Sequence, residues 1–540
     1  MLRSERTDGV GHALRRRSLA PSGGAPGSGV RSPVYNEAVA GSPNVLMLVT
    51  DNQSADSLGC YGNVEHETPH LDRLAREGVQ FLRAFCTNGL CSPTRASILT
   101  GLMPSQHGVH LAMPDDEVMP KPTDYDVTRE FRTLPYELRR HGFATGMVGK
   151  WHLGNFRQPG HGFEHWVAFT KGHTTDFYDN EVYADGRVQR VEGQHIVEHF
   201  ADRAIDYLRD RDRSRPFFLQ VNFDGPYVLP PTVVGADHRN PFYERFERRS
   251  FTPFPPLDDR MIRSLVVPFD FDLDPHEEYT LASAFNNLWW TARVHNDQAT
   301  RANVAAQNAL VDHAIGRVLA TLEAEGIVDD TVVVMTTDQG NPYGQRGLWG
   351  HPPWTDPPFV HDVTFRVPLL IRAPGRLPVQ RVVDSVVSHC DLFPTLLDLV
   401  GIDGVEIAGS PGRSLVPLVE GSGVSAWPDE AFFEAETARS IRTREYLFTR
   451  HLDGTGDPEC YDLVVDPDQW HNVAAEPAYA DTVRALDTRL SEFFAVHADP
   501  RYDLWNGGTG QAMVSSYRLL KERYGRDWDV TMTVGPPFAD

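Results

Sequence analysis

The 540-residue sequence predicts an α/β fold built on a large, mainly parallel sheet. Two observations predict this class: short continuous apolar runs that end in polar residues, and amphipathic helical patterns between those runs. A short apolar run bounded by polar residues is typical of a strand that is buried on both faces. Strands that alternate with helices are typical of a parallel sheet covered by helices.

Four apolar runs predict strands, and polar residues follow each of them. The runs and the residues that follow are 45–49 before Thr50, Asp51 and Asn52; 145–148 before Gly149 and Lys150; 217–221 before Asn222 and Asp224; and 332–335 before Thr337, Asp338 and Gln339. Between them, apolar spacing predicts helices near Leu71 and over residues 304–322. Ligands bind beyond the carboxyl ends of parallel strands, so these polar residues mark the predicted site.

Composition along the chain predicts three regions. Residues 1–42 are rich in Arg, Gly, Ser and Pro and poor in bulky apolar residues, which predicts a disordered tail. Residues 43–424 carry the alternating α/β pattern. Residues 425–540 predict a smaller α+β C-terminal subdomain and a tail. The patterns in this last region are short strands at 432–434, 441–449 and 459–463 and a helix over 480–494.

Charge and cysteine content exclude several classes of protein. The net charge of −23 argues against a nucleic-acid-binding protein, because such proteins displace counterions with a basic surface. Five scattered cysteines do not form the pattern of a disulfide-rich scaffold or of a cysteine-ligated zinc site. The sequence lacks a long apolar run and an apolar segment near its start, so we expect no membrane partner and a cytoplasmic location.

The segment Cys91-Ser92-Pro93-Thr94-Arg95 is the strongest candidate for chemistry. It precedes a helical pattern and holds a thiol and a guanidinium at fixed spacing. A cysteine near a helix N-terminus and an arginine lies in a positive field that favours anions and lowers the thiol pKa. This predicts a nucleophile or an anion-binding residue. The alternative is a buried structural thiol, since free cysteines are often buried.

Four polar residues at two predicted strand ends form a candidate metal site. Asp51, Asn52, Asp338 and Gln339 offer two carboxylates and two amide oxygens, which are ligands for hard cations. The alternative is that they cap helices, a role that Asp and Asn favour.

Lys150 is unusual for this chain, which has four lysines against 47 arginines. A lysine at a strand end therefore indicates a need for a compact ammonium group. The alternative is a solvated turn lysine beside a core tryptophan.

Several motifs in order resemble the type I sulfatases of the alkaline phosphatase-like superfamily. Residues 91–108 resemble the family's first signature, and Gly149-Lys150-Trp151-His152-Leu153-Gly154 resembles its second. The resemblance spans about residues 44–475 and is more specific than any one motif. Further matching segments are 58–62, 68–74, 347–350, 367–371, 391–397 and 459–472.

The resemblance implies the cofactors. A separate formylglycine-generating enzyme would convert Cys91 to formylglycine. One divalent cation, usually Ca²⁺ with Mg²⁺ or another ion as the alternative, would be held by the metal set. That set consists of Asp51, Asn52, Cys91, Asp338 and Gln339.

The resemblance also implies catalytic roles. Arg95 and Lys150 would neutralise the sulfuryl oxygens, while a hydroxyl of the hydrated aldehyde attacks sulfur and expels the alcohol. His152 would then take the proton of the second hydroxyl, which releases sulfate. Two positions depart from the family: Tyr227 stands where a histidine near the leaving oxygen is usual, and His351 stands where lysine is usual. Either Tyr227 or His351 is a candidate acid, and packing is the alternative for both.

The predicted reaction is hydrolysis of a sulfate monoester to an alcohol and sulfate, with a small-molecule or carbohydrate sulfate ester as the substrate. Two alternatives stay open: a phosphonate monoester or phosphodiester hydrolase of the same superfamily, and a non-catalytic binding protein. Asn52 makes the metal site less negative than usual, which predicts weaker cation binding. Aromatic residues within 225–300 mark the predicted specificity region. The sequence leaves the oligomeric state open.

Overall fold

A large mixed sheet forms the centre of the chain. The structure is a computed structural model that describes residues 41–116, 121–230, 232–255, 294–349, 355, 357–422, 427–512, 514–525 and 538. Within those ranges ten strands make up the large sheet. Its strands are β1 (Asn44–Asp51), β2 (Val79–Phe85), β3 (Ala144–Gly149), β4 (His165–Phe169), β5 (Asp179–Ala184), β6 (Arg187–Glu192), β7 (Phe217–Pro226), β8 (Thr331–Thr337), β9 (Arg366–Arg372) and β10 (Arg381–Ser388).

The middle of this sheet is parallel. The strand order is β10-β2-β9-β8-β1-β7-β3-β4-β5-β6. Strand β1 pairs in parallel with β7 and β8, and β3 pairs in parallel with β7 and β4. Antiparallel pairs involve β9 and the β5–β6 hairpin. The predicted α/β class with a mainly parallel sheet is therefore confirmed.

Helices cover both faces of the sheet. Strand β1 shows the reason, because Val45 and Met47 belong to one apolar core and Leu46 and Leu48 to the other. A strand with apolar side chains on both faces needs a helical layer on each side. The helices of the described residues are α1 (Pro69–Glu77), α2 (Cys91–Thr100), α3 (Pro104–His107), α4 (Leu134–Arg140), α5 (Ile196–Asp210), α6 (Tyr243–Phe246), α7 (Gln298–Ala324), α8 (Asp362–Phe365), α9 (Leu392–Val400), α10 (Val416–Glu420), α11 (Ala480–His497) and α12 (Tyr517–Tyr524).

The two layers use different helices. Helices α2, α4 and α9 supply apolar side chains to the core that contains Val45. Helices α1, α5 and α7 supply the core that contains Leu46. Helix α2 is buried along its whole length, so packing on all sides holds its first residue, Cys91, in a fixed position. In the part of the chain that the structure describes, no helix has both the length and the apolar character needed to cross a membrane.

A second, smaller sheet follows the large one. Its antiparallel strands are β11 (Ala431–Glu434), β12 (Ala438–Arg442), β13 (Tyr446–His451) and β14 (Glu459–Asp462). Helix α11 packs on this sheet through Leu490, Phe493 and Phe494. The predicted smaller α+β subdomain is confirmed. The single strand predicted over 441–449 is wrong, because a turn with a hydrogen bond from Thr443 N to Tyr446 O divides that segment into two strands.

Two sequence predictions fall largely outside the described residues. The predicted N-terminal tail, 1–42, is described only at positions 41 and 42. Of the predicted specificity region, residues 256–293 are outside the described part. Within it, Tyr243, Phe246 and Phe251 pack against alanines of helix α7, so these aromatic residues belong to a local core.

Candidate active site

The carboxyl ends of neighbouring parallel strands gather the predicted polar residues. Asp51 ends β1, Asp338 follows β8, and Lys150 follows β3. Strands β8, β1, β7 and β3 are adjacent, and Thr50 lies opposite Thr337 in the register. Residues from distant parts of the sequence therefore meet at one edge of the sheet.

Cys91 is the first residue of helix α2 and lies at the centre of this group. Its Sγ accepts hydrogen bonds from Lys150 Nζ at 3.5 Å and from Gln339 Nε2 at 3.3 Å. One ligand atom from each of Asp51, Cys91 and Asp338 lies within 4.8 Å of the others. The buried structural thiol of the alternative interpretation would contact apolar atoms, whereas this thiol contacts polar groups.

The expected lowering of the Cys91 pKa is wrong. Burial raises the pKa of Cys91 to about 12, although Lys150 and Arg95 act to lower it and Asp51 and Asp338 act to raise it. Removal from water outweighs the helix end and the cations because the thiolate loses its hydration. An unmodified Cys91 is therefore a protonated thiol at neutral pH.

Arg95 lies one helical turn after Cys91, so both side chains point to the same side of helix α2. Its Nη2 and Nε atoms donate to Asp338 Oδ2 at 2.7 and 3.1 Å, and Nη2 also lies 3.3 Å from Asp51 Oδ2. This geometry explains the spacing of the C-x-P-x-R motif. The guanidinium is held between the two aspartates of the candidate metal site.

Lys150 is fully buried, which excludes the solvated turn lysine of the alternative interpretation. Its ammonium forms an ion pair with Asp51 and lies 3.8 Å from Asp224 Oδ1. Burial acts to lower the pKa of Lys150, but Asp51, Cys91 and Asp224 raise it above its usual value. The side chain therefore stays charged inside the protein.

Gly149 allows the chain to reach this position. Its φ is 112°, and a Cβ there would lie 1.9 Å from the carbonyl oxygen of Asn222. Only glycine fits such a close approach in the left-handed region. The Lys150 N–H then donates to the same carbonyl at 2.9 Å, which fixes the backbone of Lys150 against β7.

Asp224 is a member of the site whose role is not evident from the sequence. It lies on β7, is fully buried, and neither carboxylate oxygen has a hydrogen-bond partner among the described residues. Burial raises the pKa of Asp224 to about 7, against the lowering effect of Lys150. Its place at a strand end was visible in the sequence, but its contact with Lys150 depends on the pairing of β3 with β7.

The candidate metal ligands fit a hard cation. Asp338 Oδ1 accepts from the backbone N–H of Asn52 at 3.2 Å and of Gln339 at 2.8 Å. The oxygens Asn52 Oδ1 and Gln339 Oε1 are buried and accept no hydrogen bond from the described residues. Unsatisfied buried oxygens beside two carboxylates are suited to a cation that prefers oxygen ligands.

The helix-capping alternative does not describe these residues. The short 3₁₀ helices that follow them in the chain begin at Ala55 and Gln345, and their N-cap residues are Ser54 and Gly344.

His152 lies on the loop after β3 with a positive φ of 55°. Its Nε2 is 2.7 Å from the carbonyl oxygen of Met113, and its Nδ1 is buried without a partner in the described ranges. Burial first, and then the charge of Lys150, hold the pKa of His152 well below its usual range. A neutral imidazole with one unpaired nitrogen can accept a proton.

The structure describes only one of the two candidate acids, Tyr227. Tyr227 follows β7 and is buried, with its ring centroid 5.3 Å from Lys150 Nζ. The same ring stacks on His173. His351 lies outside the described residues.

Fold and site together define a class: an α/β enzyme that receives an anionic group between cationic side chains at the carboxyl edge of its sheet. Residues 43–402 match the sulfatase family, and residues 350–495 match the C-terminal region of N-sulphoglucosamine sulphohydrolase. The chain belongs to the sulfatase family, and it is a sulfuric ester hydrolase.

Known proteins are similar over most of their length. An N-acetylglucosamine-6-O-sulfatase of Bacteroides thetaiotaomicron is 27% identical over 83% of this chain and 86% of its own. An arylsulfatase of Clostridium perfringens is 26% identical, over 82% of this chain and 92% of its own.

Solved structures share the fold. One, in complex with its substrate D-glucosamine-2-N,6-O-disulfate, has a TM-score of 0.67 at 24% identity and covers 86% of this chain and 99% of its own. A phosphonate monoester hydrolase of Agrobacterium radiobacter has a TM-score of 0.62 at 23% identity, covering 85% of this chain and 96% of its own.

Proposed function

We propose that this sulfatase hydrolyses the sulfate ester of a carbohydrate, at a formylglycine made from Cys91 and with the help of Ca²⁺. One observation carries the proposal: residue 91 begins helix α2 in contact with Lys150 and Gln339, and it lies between the carboxylates of Asp51 and Asp338. The reaction releases an alcohol and inorganic sulfate.

The pKa of Cys91 supports modification of this residue. A thiol whose pKa is raised to about 12 is a weak nucleophile at neutral pH, because the thiolate is the reactive form. Conversion to formylglycine by a formylglycine-generating enzyme replaces the thiol with a hydrated aldehyde, which offers oxygen nucleophiles without requiring a thiolate. The partner enzyme acts only during maturation.

The oxygen-rich site supports Ca²⁺, with Mg²⁺ or another divalent ion as the alternative. Asp51, Asn52, Asp338, Gln339 and residue 91 would hold the ion. When bound, the ion would neutralise sulfate charge and polarise the oxygen at position 91.

Three further residues have roles in the proposed reaction: Arg95, Lys150 and His152. Arg95 and Lys150 are charged and buried, so they can bind the sulfuryl oxygens with little reorganisation. His152 is neutral, and its Nδ1 has no hydrogen-bond partner in the described part of the chain, which suits a base for the step that releases sulfate.

A carbohydrate substrate is favoured by the relatives. They include the N-acetylglucosamine-6-O-sulfatase and an N-acetylgalactosamine-6-sulfatase of Canis lupus familiaris, which is 26% identical over 75% of this chain and 71% of its own. The test is sulfate release from N-acetylglucosamine 6-sulfate, 4-nitrophenyl sulfate and choline sulfate by protein co-expressed with a formylglycine-generating enzyme. We expect the highest kcat/KM for a sugar sulfate. Preference for choline sulfate would overturn the substrate class, and no sulfate release from any ester would favour the non-catalytic binding protein.

The second candidate function is hydrolysis of phosphonate monoesters or phosphodiesters. The likeness to the phosphonate monoester hydrolase fold favours keeping it. Turnover of 4-nitrophenyl phenylphosphonate faster than 4-nitrophenyl sulfate would favour this function. The cytoplasmic location stays a prediction, which cell fractionation tests.

A further inference from the structure

A histidine outside the predicted site contacts Tyr227, one of the two candidate acids. His173 lies in the loop between β4 and β5, and its ring stacks on Tyr227 with centroids 5.9 Å apart and planes at 25°. Tyr227 in turn contacts Lys150, whose Nζ is 5.3 Å from the tyrosine ring centroid. His173 is therefore one aromatic ring away from the buried ammonium that binds sulfate in the proposed function.

A single carboxylate holds this loop and faces the histidine. Asp115 Oδ1 accepts a hydrogen bond from Gly172 N at 2.6 Å, and Asp115 Oδ2 lies 3.8 Å from His173 Nδ1. The side chain of Asp115 is 16% exposed and that of His173 is 41% exposed. The imidazole therefore lies beside a largely buried carboxylate, while part of its ring is exposed to solvent.

The loop is also packed against His152. A Cβ at Gly172 would lie 2.2 Å from His152 Nε2, so the backbone touches that imidazole. The carbonyl of Met113, two residues before Asp115, lies 2.7 Å from the same nitrogen. Residues 113–115 therefore set the positions of both histidines relative to residue 91.

The reaction needs an acid, and neither His152 nor Tyr227 is well suited to that role. The alcohol of a sugar is a poor leaving group unless its oxygen is protonated as the S–O bond breaks. His152 is partly buried, and burial and the charge of Lys150 hold its pKa well below the usual range, so the imidazole is neutral and cannot serve as the acid. Tyr227 lies against Lys150, and a tyrosine hydroxyl is a weaker acid than an imidazolium.

We propose that His173, oriented by Asp115, is the catalytic acid that protonates the leaving alcohol oxygen. This assignment rests on the proposed function. A hydroxyl oxygen at position 91 would form a bond to sulfur and lose its proton to the nearby carboxylate of Asp338. The bond from sulfur to the ester oxygen would break at the same time, and its electron pair would stay on the ester oxygen. The proton of the imidazolium moves to this oxygen, so the alcohol leaves neutral, and the imidazole regains its proton from water. Asp115 is a positioning residue that stabilises the imidazolium.

Groups on several elements influence the protonation of His173. Burial lowers the pKa of His173, Lys150 and Lys171 lower it further, and Asp115 and Asp51 raise it. A sulfate anion bound at Lys150 offsets that positive charge and raises the pKa. Because the acid must be protonated, activity falls as the pH rises through this pKa. We expect the loss in kcat, which reports the complex, at a higher pH than the loss in kcat/KM.

The test compares two substrates and two histidines. His173→Gln should lower kcat on N-acetylglucosamine 6-sulfate by about 100-fold or more, the usual contribution of a general acid. On 4-nitrophenyl sulfate, whose leaving group needs no proton, the loss should stay within about threefold. The matched control is His471→Gln, which removes a surface histidine paired with Glu476 at 2.6 Å and should leave both rates unchanged.

Asp115→Asn separates positioning from folding. Because the carboxylate raises the pKa of His173, we expect this variant to move the loss of sugar-sulfate activity to lower pH. The thermal midpoint and the conversion of residue 91 should match the wild type. Equal losses on both substrates for His173→Gln, or no loss on either, overturn the assignment. If wild type with residue 91 converted releases no sulfate from any ester, the proposed function fails and this assignment fails with it.

Discussion

Asn52 Oδ1 and Gln339 Oε1 lie beside two carboxylates and have no hydrogen-bond partner among the described residues. Because Asn52 is neutral, the cation site carries less negative charge than it would with an aspartate at this position. Asn52 has a φ of 58°, a conformation that Asp also tolerates. The change Asn52→Asp adds a negative oxygen without backbone strain. We expect it to tighten Ca²⁺ binding by about 10-fold, a typical effect of one well-placed charge.

Calorimetric titration with Ca²⁺, and the thermal midpoint with Ca²⁺ or with a chelator, measure this change. Gln380→Glu is the matched control, because it adds the same charge at an exposed residue. Tighter Ca²⁺ binding in Asn52→Asp but not in Gln380→Glu supports the assignment of the metal ligands. No calcium-dependent shift in wild type or in Asn52→Asp would contradict them.

Asp224 makes stability depend on pH. Its pKa is raised from the ordinary value of 3.8 to about 7, so its contribution to stability is present below pH 4 and is lost as the pH rises to 7. Asp224→Asn removes this titration. Relative to wild type, the metal-free variant should gain unfolding free energy between pH 5 and pH 8, by up to about 4 kcal/mol from a shift of roughly three pKa units.

Urea unfolding of both proteins at four pH values in a chelator measures the difference. If the difference between variant and wild type stays constant with pH, the carboxyl group does not titrate with a raised pKa.

The position of a site residue could be predicted from the sequence where it depends on neighbouring residues in the chain, and could not where it depends on contacts between distant segments. Cys91 and Arg95 could be placed together because they are four positions apart on one helix. Asp51 and Asp338 could be placed together because Asp51 ends, and Asp338 follows, a strand that is buried on both faces. Asp224 and His173 could not be assigned, since their positions relative to Lys150 depend on strand order and on loop packing against Gly172. The thiol pKa was predicted in the wrong direction because sequence shows a helix end but not burial.

The position of the end of β3 depends on its close contact with β7. Gly149→Ala would put a Cβ 1.9 Å from the Asn222 carbonyl oxygen at a φ of 112°, so the strand end must move. We expect a loss of about 2–3 kcal/mol in unfolding free energy and at least 10-fold in kcat/KM, because Lys150 moves with it.

The control for this prediction is Gly186→Ala in the β5–β6 turn. Gly186 has a φ of 76°, but a Cβ added there would have no atom within 4 Å among the described residues. It should lose only about 1 kcal/mol, from the left-handed conformation alone, and keep its activity. Equal effects of the two substitutions would contradict the role of the β3–β7 contact.

Strand predictions succeeded where both faces are buried and failed where a turn interrupts alternation. β1 and β8 appear in the sequence as continuous apolar runs, and each run lies within the observed strand. The segment 441–449 has no glycine or proline at its turn, so a hairpin looks like one strand. The apolar pattern also does not show strand direction, because β9 runs antiparallel to both β2 and β8 but carries the same kind of apolar run as the parallel strands of the sheet.

A buried network of ion pairs and hydrogen bonds joins the small sheet to helix α3. Arg439 of β12 is 3% exposed and contacts Asp503 at 2.6 Å and Glu434 at 3.3 Å. Glu434 also accepts a hydrogen bond from Ser105 N. The network therefore connects three distant parts of the chain.

Arg439→Ala leaves two buried carboxylates without their cation and should cost about 3–5 kcal/mol in unfolding free energy. Arg484→Ala, which removes a side chain that is 72% exposed and paired with Asp481, should cost at most about 1 kcal/mol. Chemical unfolding measures both. Similar costs for the two variants would mean that the network does not hold the C-terminal subdomain in place.

The central claim is that Cys91 is the precursor of the catalytic residue. The most direct measurement is the mass of the peptide that contains residue 91, after co-expression with a formylglycine-generating enzyme, together with sulfate release by the same sample. We predict the mass change from thiol to aldehyde, and a rate of sulfate release that rises in proportion to the converted fraction. An unchanged thiol, with a control sulfatase converted in the same cells, would contradict the claim, and so would full conversion without sulfate release.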